Sequence, residues 1–340
     1  MNDRAPDDRA RIGVVGAGGF GAAHVRAAAG APGHRIAAVC DVRRAAAAEL
    51  AGDGAAVFTD HRAMFATAAL DAVVVAAPHA LHTPIVLDAA DAGLPVLVEK
   101  PMATTVEDCT AMIAACARAG TLLAVAHILH FDPVARHARD IVASGRYGEP
   151  VLVTHRRSAH YDPGSRPGWF FDPQQAGGGI VLNVGTHGLD RIQWLTGSRI
   201  GRVTGVVRGR PGVAVETDAI ALLELADGTA AGLTLTSRGA PYFDETEIAL
   251  EGATLRVSGT EGLFLLQGGR SELLRPAAPD RMHQALRAQL DGFVAAVRGE
   301  PGARHVDGDY GRSVVAAALA LYRSAADGVA VDLRTDPVVA

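Results

Sequence analysis

Cysteine is scarce in this chain, and the positions of the three cysteines exclude two common kinds of site. Cys40, Cys109 and Cys116 are odd in number and form no CxxC pair, so they give neither a complete disulfide set nor a usual zinc spacing. Cys109 and Cys116 lie two turns apart on a predicted helix. We therefore expect three small buried thiols and no metal site.

Long apolar runs and an excess of basic charge are also missing. No segment approaches the ~18 uninterrupted apolar residues that cross a bilayer, and the charged N-terminus, MNDRAPDDRAR, has no apolar core of a signal peptide. The formal net charge of −5 gives no reason to expect nucleic acid as a partner. These absences predict a cytoplasmic protein that binds neither membranes nor nucleic acid.

The composition that remains is that of a globular protein with two domains. The chain has 340 residues, which exceeds the usual size of a single core, and it is 49% hydrophobic and 20% charged. Strand-like runs alternate with helix-forming segments up to about residue 128, which indicates a parallel sheet covered on both faces. Beyond that point a helix is followed by successive short β-rich runs, with Asp227-Gly228 at a predicted hairpin turn.

The predicted fold is therefore α/β. Residues 1–128 form a doubly wound parallel sheet of the Rossmann type, and residues 129–340 form an α+β domain with a large, mostly antiparallel sheet. Helices are predicted near residues 283–297 and 310–326 of the second domain.

A glycine cluster follows the first predicted strand. The segment reads GAGGFGAAH, and Gly16, Gly18 and Gly21 fit the spacing of a dinucleotide-binding turn, in which the second glycine admits the pyrophosphate. A structural turn between strand and helix is the alternative. Asp41, which ends the next strand 25 positions after Gly16, stands where an acidic group meets the ribose hydroxyls. Together these residues predict dinucleotide binding.

Two further segments carry polar residues suited to chemistry. Glu99 and Lys100, in VEKPMATT, leave a strand at the carboxyl edge of the sheet, where ligands bind in open α/β folds. A solvated strand-end lysine is the alternative, but the Lys100-Pro101 bond can be cis, which would fix the direction of the lysine. The second segment, residues 177–197, begins with three glycines that lead into a helix.

On that helix the polar residues recur on one face. Asn183, His187, Asp190 and Trp194 are separated by four, three and four positions. A histidine with all its hydrogen bonds satisfied in the core is the alternative. A stripe of Asn, His and Asp at the end of a glycine run favours a functional site.

The ordered set of motifs resembles the Gfo/Idh/MocA family of sugar and inositol dehydrogenases. The resemblance rests on GAGGFGAAH, CD at 40–41, AAPHALH at 76–82, EKP at 99–101, GGGIVLNVGTHGLD at 177–190, DG at 227–228 and ALYRSAADG at 320–328. It implies a Rossmann domain, a second domain whose open sheet often serves oligomerisation, and hydride transfer at a sugar-like carbinol or ketone. A homo-oligomer, either a dimer or a tetramer, is therefore expected.

The resemblance also implies roles for three residues. In the family, the EKP lysine and the helix histidine act on the reacting hydroxyl, and they match Lys100 and His187. A neutral imidazole can accept the hydroxyl proton, and an ammonium group stabilises the developing alkoxide. Asn183 stands where inositol-dehydrogenase-like members carry Asp, and a neutral amide cannot raise the pKa of His187 as a carboxylate would.

The expected cofactor is NAD, because Asp41 should bind the ribose hydroxyls and repel a 2′-phosphate. NADP remains possible, since Arg43 or Arg44 could turn toward that phosphate. The residues assigned to the cofactor site are Gly16, Gly18, Gly19, Phe20, Gly21, Asp41, Arg43, Ala77, Pro78, His82, Glu99 and Lys100.

The substrate, a small molecule, is expected to contact the loop at residues 155–175, which mixes aromatic and charged side chains. Arg156, Arg157 and Arg166 would tolerate a carboxylate or phosphate, although a solvated position is the alternative for each. If His187 is not the base, His160 and Tyr161 are the next candidates. The residues assigned to the substrate site are Arg156, His160, Tyr161, Trp169, Asn183 and His187.

The predicted function is NAD(P)-dependent hydride transfer to or from a secondary alcohol or ketone of a sugar, aminosugar or cyclitol. One alternative of the same fold is an NAD-dependent glycosidase, which oxidises and re-reduces its sugar transiently. The other is a non-catalytic dinucleotide-sensing or scaffold protein. Such a protein could lose both Lys100 and His187, so their joint presence favours an enzyme.

Overall fold

Two sheets organise the chain in the computed structural model, which describes residues 8–237 and 242–335. Most of the charged N-terminal segment, and the end of the predicted strand run at residues 238–239, lie outside the described residues. Within the described residues, no helix combines the length and apolarity needed to cross a bilayer. Cys40, Cys109 and Cys116 are all buried and free, as the sequence predicts.

The first sheet has six parallel strands and is the predicted Rossmann sheet. Its strands are β1 (Ala10–Val15), β2 (His34–Cys40), β3 (Ala56–Phe58), β4 (Ala72–Val75), β5 (Val96–Glu99) and β6 (Leu123–Ala126). Their order across the sheet is β3-β2-β1-β4-β5-β6. The direction of winding therefore reverses between β1 and β4, and the loops after those strands form the crevice where ligands bind.

Helices cover both faces of this sheet because its strands are apolar on both sides. The connecting helices are α1 (Gly19–Ala28), α2 (Arg44–Ala51), α3 (His61–Thr67), α4 (His82–Asp91) and α5 (Val106–Ala119). The start of α5 shows how local sequence sets a helix end: the Thr105 side chain accepts a hydrogen bond from the Asp108 N–H. Gly120, at φ 67°, ends the same helix in the left-handed conformation.

The second sheet has nine strands and is mostly antiparallel, as predicted. Its strands are β7 (Pro150–Ser158), β8 (Ile200–Gly209), β9 (Glu216–Leu225), β10 (Ala230–Thr236), β11 (Phe243–Leu250), β12 (Thr254–Ser258), β13 (Gly262–Gln267), β14 (Arg270–Pro276) and β15 (Val331–Asp332). The order is β14-β13-β12-β11-β7-β10-β9-β8-β15, with β7 and β10 the parallel pair. The hairpin between β9 and β10 turns at Asp227-Gly228, where Gly228 has φ 89°.

The remaining helices belong to the second half of the chain. They are α6 (Pro133–Ala143), α7 (Pro173–Ala176), α8 (Thr186–Thr196), α9 (Arg281–Val297) and α10 (Gly308–Asp327), and a π-helical turn (Val181–Gly185) leads directly into α8. One face of the second sheet packs against helices, whereas the other is open. On β9 the alternation is plain, since Ala221 and Leu223 are buried while Ile220 and Leu222 are 58% and 66% exposed. We call the open side the outer face.

The last two long helices return to the first sheet. Leu290 and Phe293 of α9 are buried in the same cluster as Ile12 and Val14 of β1. Helix α10 contacts both halves, with Val315 in the core of the first sheet. The division predicted at residue 128 follows the change in sequence pattern, but the first core also includes these later residues, because an amphipathic pattern does not specify which surface a helix covers.

Candidate active site

The glycine cluster forms a tight turn between β1 and α1. Gly16 has φ 102°, and a Cβ there would lie 2.4 Å from the backbone oxygen of Ala76 after β4; a Cβ at Gly21 would lie 1.8 Å from the oxygen of Gly16. Gly18 differs, because a Cβ there would meet nothing within 4 Å. The turn is thus tightly packed at Gly16 and Gly21 and open at Gly18. Helix α1 begins there, at Gly19, without a side-chain cap.

This geometry fits the pyrophosphate of a dinucleotide. A helix N-terminus presents unpaired N–H groups and a positive dipole end, and an open glycine lets phosphate oxygens approach the backbone. Ala77 and Pro78 lie on the other side of the crevice, directly after β4. Phe20 remains 47% exposed at the start of α1.

Asp41 lies beside this turn at the end of β2. Its carboxylate accepts hydrogen bonds from the backbone N–H of Ala17 at 2.8 Å and from that of Arg43 at 2.9 Å. Burial raises the pKa of Asp41, but these hydrogen bonds and the Arg43 guanidinium outweigh that effect and hold the pKa below its ordinary value. Arg43 is therefore engaged by Asp41, and an ionised carboxylate stands where the ribose hydroxyls are expected.

His82 and Glu99, which were predicted to bind the cofactor, have their polar atoms in contact with other groups of the protein. His82 is fully buried, and its ring lies between the carbonyl oxygens of Pro101, 3.0 Å from Nδ1, and Ala77, 2.9 Å from Nε2. Glu99 is also buried, and its carboxylate accepts a hydrogen bond from His24 of α1 at 2.8 Å. Because these polar atoms are occupied by the protein, the two residues fix the loops that the cofactor would touch.

Lys100 extends from the end of β5 across to the second half of the chain. Its ammonium donates to the backbone oxygen of Asn183 at 2.9 Å, and it lies 5.9 Å from the ring centroid of Phe20. Burial lowers the pKa of Lys100 to about 8, with Glu99 opposing the shift. The Lys100-Pro101 peptide is cis, as the sequence allowed.

Lys100 is the only lysine in the chain, and the other 31 of its 32 Lys and Arg residues are arginine. A single lysine in a chain that otherwise relies on arginine is a position where guanidinium cannot replace a compact ammonium whose pKa shifts on burial. The count thus supports the assignment of Lys100 to the site.

A half-buried carboxylate anchors the segment that carries Asn183. Glu216 of β9 accepts hydrogen bonds from the backbone N–H groups of Gly179 at 2.8 Å and Val181 at 2.9 Å, and the Tyr322 hydroxyl donates to it at 2.7 Å. Burial raises the pKa of Glu216. The sequence pattern did not identify Glu216, although Tyr322 lies within the ALYRSAADG motif.

The π-helical turn places Asn183 beside Lys100, and His187 follows in the first turn of α8. Asn183 is 5% exposed, and its side-chain nitrogen is buried without a partner. Such a donor is costly to bury unless a ligand satisfies it. Turns of π-helix often occur at functional sites.

His187 is half-buried one turn further along. Burial is the main reason why its pKa lies well below the ordinary value, and the positive charges of Lys100 and Arg157 add to the shift, while Asp190 opposes it. The imidazole is therefore neutral at neutral pH, which is the form that accepts a proton.

The last two members of the predicted polar stripe on α8, Asp190 and Trp194, contact other side chains of the protein. Asp190 is fully buried, and its carboxylate accepts hydrogen bonds from His130 at 2.7 Å and from the Tyr310 hydroxyl at 2.8 Å, with His127 at 3.4 Å. Trp194 stacks on His130 with ring centroids 4.4 Å apart. Asp190 and Trp194 thus contact a cluster of His127, His130 and Tyr310.

Strand β7 places two neighbouring arginines of the predicted substrate loop, Arg156 and Arg157, on opposite faces of the second sheet. Arg156 pairs with Thr234 and Glu245 on the outer face, where its guanidinium lies 4.2 Å from the Phe243 ring centroid. Arg157 points to the helix-covered face, and its charge acts on both Lys100 and His187. Strand alternation separates adjacent residues onto opposite faces, and the sequence did not show which face was inward.

The three loop residues that were predicted to bind the substrate, His160, Tyr161 and Trp169, lie in different environments. Tyr161 is fully buried, and its hydroxyl donates to the Phe170 backbone at 3.0 Å, so it is not exposed to a substrate and burial raises its pKa. His160 faces solvent with 79% of its side chain exposed. Trp169 packs edge-on against His79, with ring centroids 4.8 Å apart, and His79 follows β4 at the crevice but was not predicted as a site residue.

An anion-binding turn at the reversal point of a parallel sheet, facing a lysine and a neutral histidine, is the arrangement of a dinucleotide-dependent oxidoreductase. Family models agree with this class: residues 10–127 match an oxidoreductase family with an NAD-binding Rossmann fold, and residues 135–265 match the GFO/IDH/MocA C-terminal domain. The chain belongs to the Gfo/Idh/MocA family.

Individual relatives cover nearly the whole chain. It is 33% identical to inositol 2-dehydrogenase 1 of Saccharopolyspora erythraea, over 95% of this chain and 96% of that protein. It is 25% identical in sequence to GenD2 from gentamicin A biosynthesis, solved with NAD, with a TM-score of 0.85 and 96% of each chain covered. The WlbA dehydrogenase of Bordetella pertussis, solved with NADH and UDP-GlcNAcA, gives 27% identity and a TM-score of 0.84, with 96% and 98% covered.

Proposed function

We propose that the protein is an NAD-dependent dehydrogenase or reductase that acts on a secondary alcohol or ketone of a sugar, aminosugar or cyclitol. The observation that carries this proposal is the hydrogen bond from Lys100 to the Asn183 backbone, which joins the end of β5 in the dinucleotide-binding sheet to the turn that leads into the helix bearing His187. NAD, when bound, accepts or supplies the hydride. The inositol dehydrogenase relative supports the substrate class.

The chain itself supplies proton transfer and charge stabilisation. Neutral His187 takes the hydroxyl proton of an alcohol substrate, because its low pKa keeps it unprotonated. The Lys100 ammonium stabilises the negative charge that develops on the same oxygen. The unpartnered side-chain nitrogen of Asn183 donates a hydrogen bond to a neighbouring hydroxyl of the substrate.

We further propose that NAD is preferred over NADP. The ionised Asp41 carboxylate accepts hydrogen bonds from ribose hydroxyls and repels a 2′-phosphate, and Arg43, which could otherwise bind that phosphate, is held by Asp41 at 3.2 Å. Titration of each cofactor measures the preference. Tighter binding of NADP than of NAD would overturn it.

A substrate screen with NAD and NADP tests the proposed function through the absorbance of the reduced cofactor. Lys100→Met and His187→Ala should each lower turnover at least ~100-fold and leave NAD affinity nearly unchanged, because both groups act on the proton and the developing charge. The exposed Arg118→Met variant is the control. Bound NAD with glycoside cleavage but no net NADH would favour the glycosidase, and NAD binding without any turnover would favour a sensor.

We also propose that residues 1–128 hold the cofactor and residues 129–340 hold the substrate, in a cytoplasmic homo-oligomer. The outer face supports the oligomer, because Val206 and Ile220 lie opposite each other on adjacent strands, 40% and 58% exposed, next to Leu222 at 66%. The free cysteines suit a reducing compartment. Sedimentation of Ile220→Glu against the natural protein tests the oligomer, which the charge should dissociate.

A further inference from the structure

Positive charge accumulates around the candidate site beyond what the proton chemistry needs. Arg157 lies between Leu235 and Asp244 in the strand register, on the face covered by α8. Gly185, between Asn183 and His187, packs so closely on Leu235 that a Cβ there would lie 2.7 Å from its Cδ1. Arg157 therefore belongs to the part of the sheet that packs under the segment from Asn183 to His187, and its charge acts on both Lys100 and His187.

Arg157 is only partly satisfied by the protein. Its side chain is 17% exposed, its Nε is buried without a hydrogen-bond partner, and its ion pair with Asp244 spans 3.9 Å, beyond hydrogen-bond distance. That carboxylate already accepts a hydrogen bond from Arg191 at 2.9 Å. Asp244 thus balances Arg191 first, which leaves Arg157 in need of a further anion.

Arg166 adds a second charge from the loop above. Its guanidinium lies 5.1 Å from the ring centroid of Tyr161 and 5.6 Å from that of Phe170, which hold it at the edge of the site. Burial lowers the pKa of Arg166, and the charge of Arg157 lowers it further. Both arginines also lower the pKa of Lys100, so the three cations act on one another across a shared space.

We propose that the natural substrate carries an anionic group, a carboxylate or phosphate, that binds between Arg157 and Arg166 while its reacting carbinol faces Lys100 and His187. This inference rests on the proposed function, because it concerns the substrate of the same site. Guanidinium groups bind such anions through paired, charge-assisted hydrogen bonds. A neutral polyol would leave the Nε of Arg157 buried and unpaired, whereas an anion supplies its acceptor and lowers the repulsion among the three cations.

The test compares matched pairs of substrates that differ only in the anion. The value of kcat/KM with NAD is measured for each substrate. Glucuronate and glucose 6-phosphate are each compared with glucose, and a carboxylated cyclitol is compared with myo-inositol. The ratio of anionic to neutral kcat/KM should exceed one for the carboxylate, the phosphate or both, and the better arm identifies the source of the charge. Arg157→Met should lower that ratio by about 10- to 100-fold, as expected for hydrogen bonds between charged groups.

Arg156→Met is the control, because this residue precedes Arg157 on the same strand but lies on the outer face. It should leave the ratio unchanged. Binding of each anion to the enzyme–NADH complex, measured by calorimetry, should weaken in Arg157→Met by a similar factor and separates loss of binding from misfolding.

The outcomes separate this inference from the proposed function. Oxidation of neutral polyols in preference to every anionic partner, or an equal ratio in Arg157→Met and the natural protein, overturns the anion site and leaves the dehydrogenase intact. Absence of NADH formation with every member of both classes overturns the proposed function instead, and the anion site with it.

Discussion

The ammonium of Lys100 donates a hydrogen bond to the backbone oxygen of Asn183, 2.9 Å away and 83 positions later in the chain. One residue ends a strand of the first sheet and the other lies in the π-helical turn over the second sheet. The contact ties the end of β5 to the turn that leads into α8. The side-chain nitrogen of Asn183 is buried without a partner, so the same residue accepts from Lys100 with its backbone and, under the proposed function, offers its side-chain amide to the substrate.

Lys100 should be the one side chain that amine reagents modify, because it is the only lysine. Acetylation follows the unprotonated amine, so the rate should rise with pH and reach half its maximum near pH 8, where burial places the lysine pKa. Mass spectrometry counts the acetyl groups. The Lys100→Met variant reports the N-terminal amine alone, and a midpoint above pH 10 would show that the lysine is solvated.

Asn183→Asp should move the acid limb of kcat/KM for oxidation to higher pH. In the natural protein the His187 pKa is lowered, so the neutral base persists at pH values below the ordinary histidine range. A carboxylate at position 183 would stabilise imidazolium and raise that pKa by about one unit if the site excludes water. If KM changes and the limb stays in place, Asn183 binds substrate without affecting the charge of His187.

Two glycine substitutions should separate cofactor binding from folding. Gly18→Ala adds a methyl group to open space, at an ordinary φ of −78°, so the thermal midpoint without cofactor should hold or rise slightly while NAD affinity falls at least ~10-fold. Gly21→Ala places its Cβ 1.8 Å from the Gly16 oxygen and should prevent correct folding of the turn. Thermal melts and NAD titration measure both, and unchanged NAD affinity in Gly18→Ala would remove the pyrophosphate from this turn.

Asp190→Asn should destabilise the protein by about 1–3 kcal/mol, because the buried carboxylate accepts hydrogen bonds from His130 and Tyr310. Burial alone raises the pKa of Asp190, but His127 and His130 outweigh it and hold the pKa well below the ordinary value. The natural protein therefore keeps this stabilisation above about pH 4 and loses it only as pH falls further.

The same substitution should also lower the pKa of His187, since the charge of Asp190 raises it. Urea titration gives the free energy of unfolding, and the pH profile of kcat/KM gives the histidine pKa. The exposed Asp91→Asn is the control. If Asp190→Asn and the natural protein have the same free energy of unfolding, the carboxylate stabilises the fold no more than an amide does.

Local sequence determined a large part of this protein. The spacing of Gly16, Gly18 and Gly21 and the position of Asp41 predicted the dinucleotide turn, because the motif lies within one short segment and Gly21 must pack on the backbone oxygen of Gly16, five residues earlier. Alternating apolar runs defined the parallel sheet, and β-rich runs with a turn at Asp227-Gly228 defined the antiparallel one. Lys100 and His187 were found from their motifs, and the structure brings them to the same crevice.

Only the tertiary structure decided which neighbours share a face or a contact. The sequence alone does not distinguish Arg156 from Arg157. The pleat of β7 places Arg156 on the outer face and Arg157 on the face toward His187. Glu216 is an ordinary strand residue in sequence, yet it anchors the turn that carries Asn183. Periodicity fixes the spacing of side chains along one element, but contacts between elements depend on how sheets and helices pack, and that packing joins residues far apart in the chain.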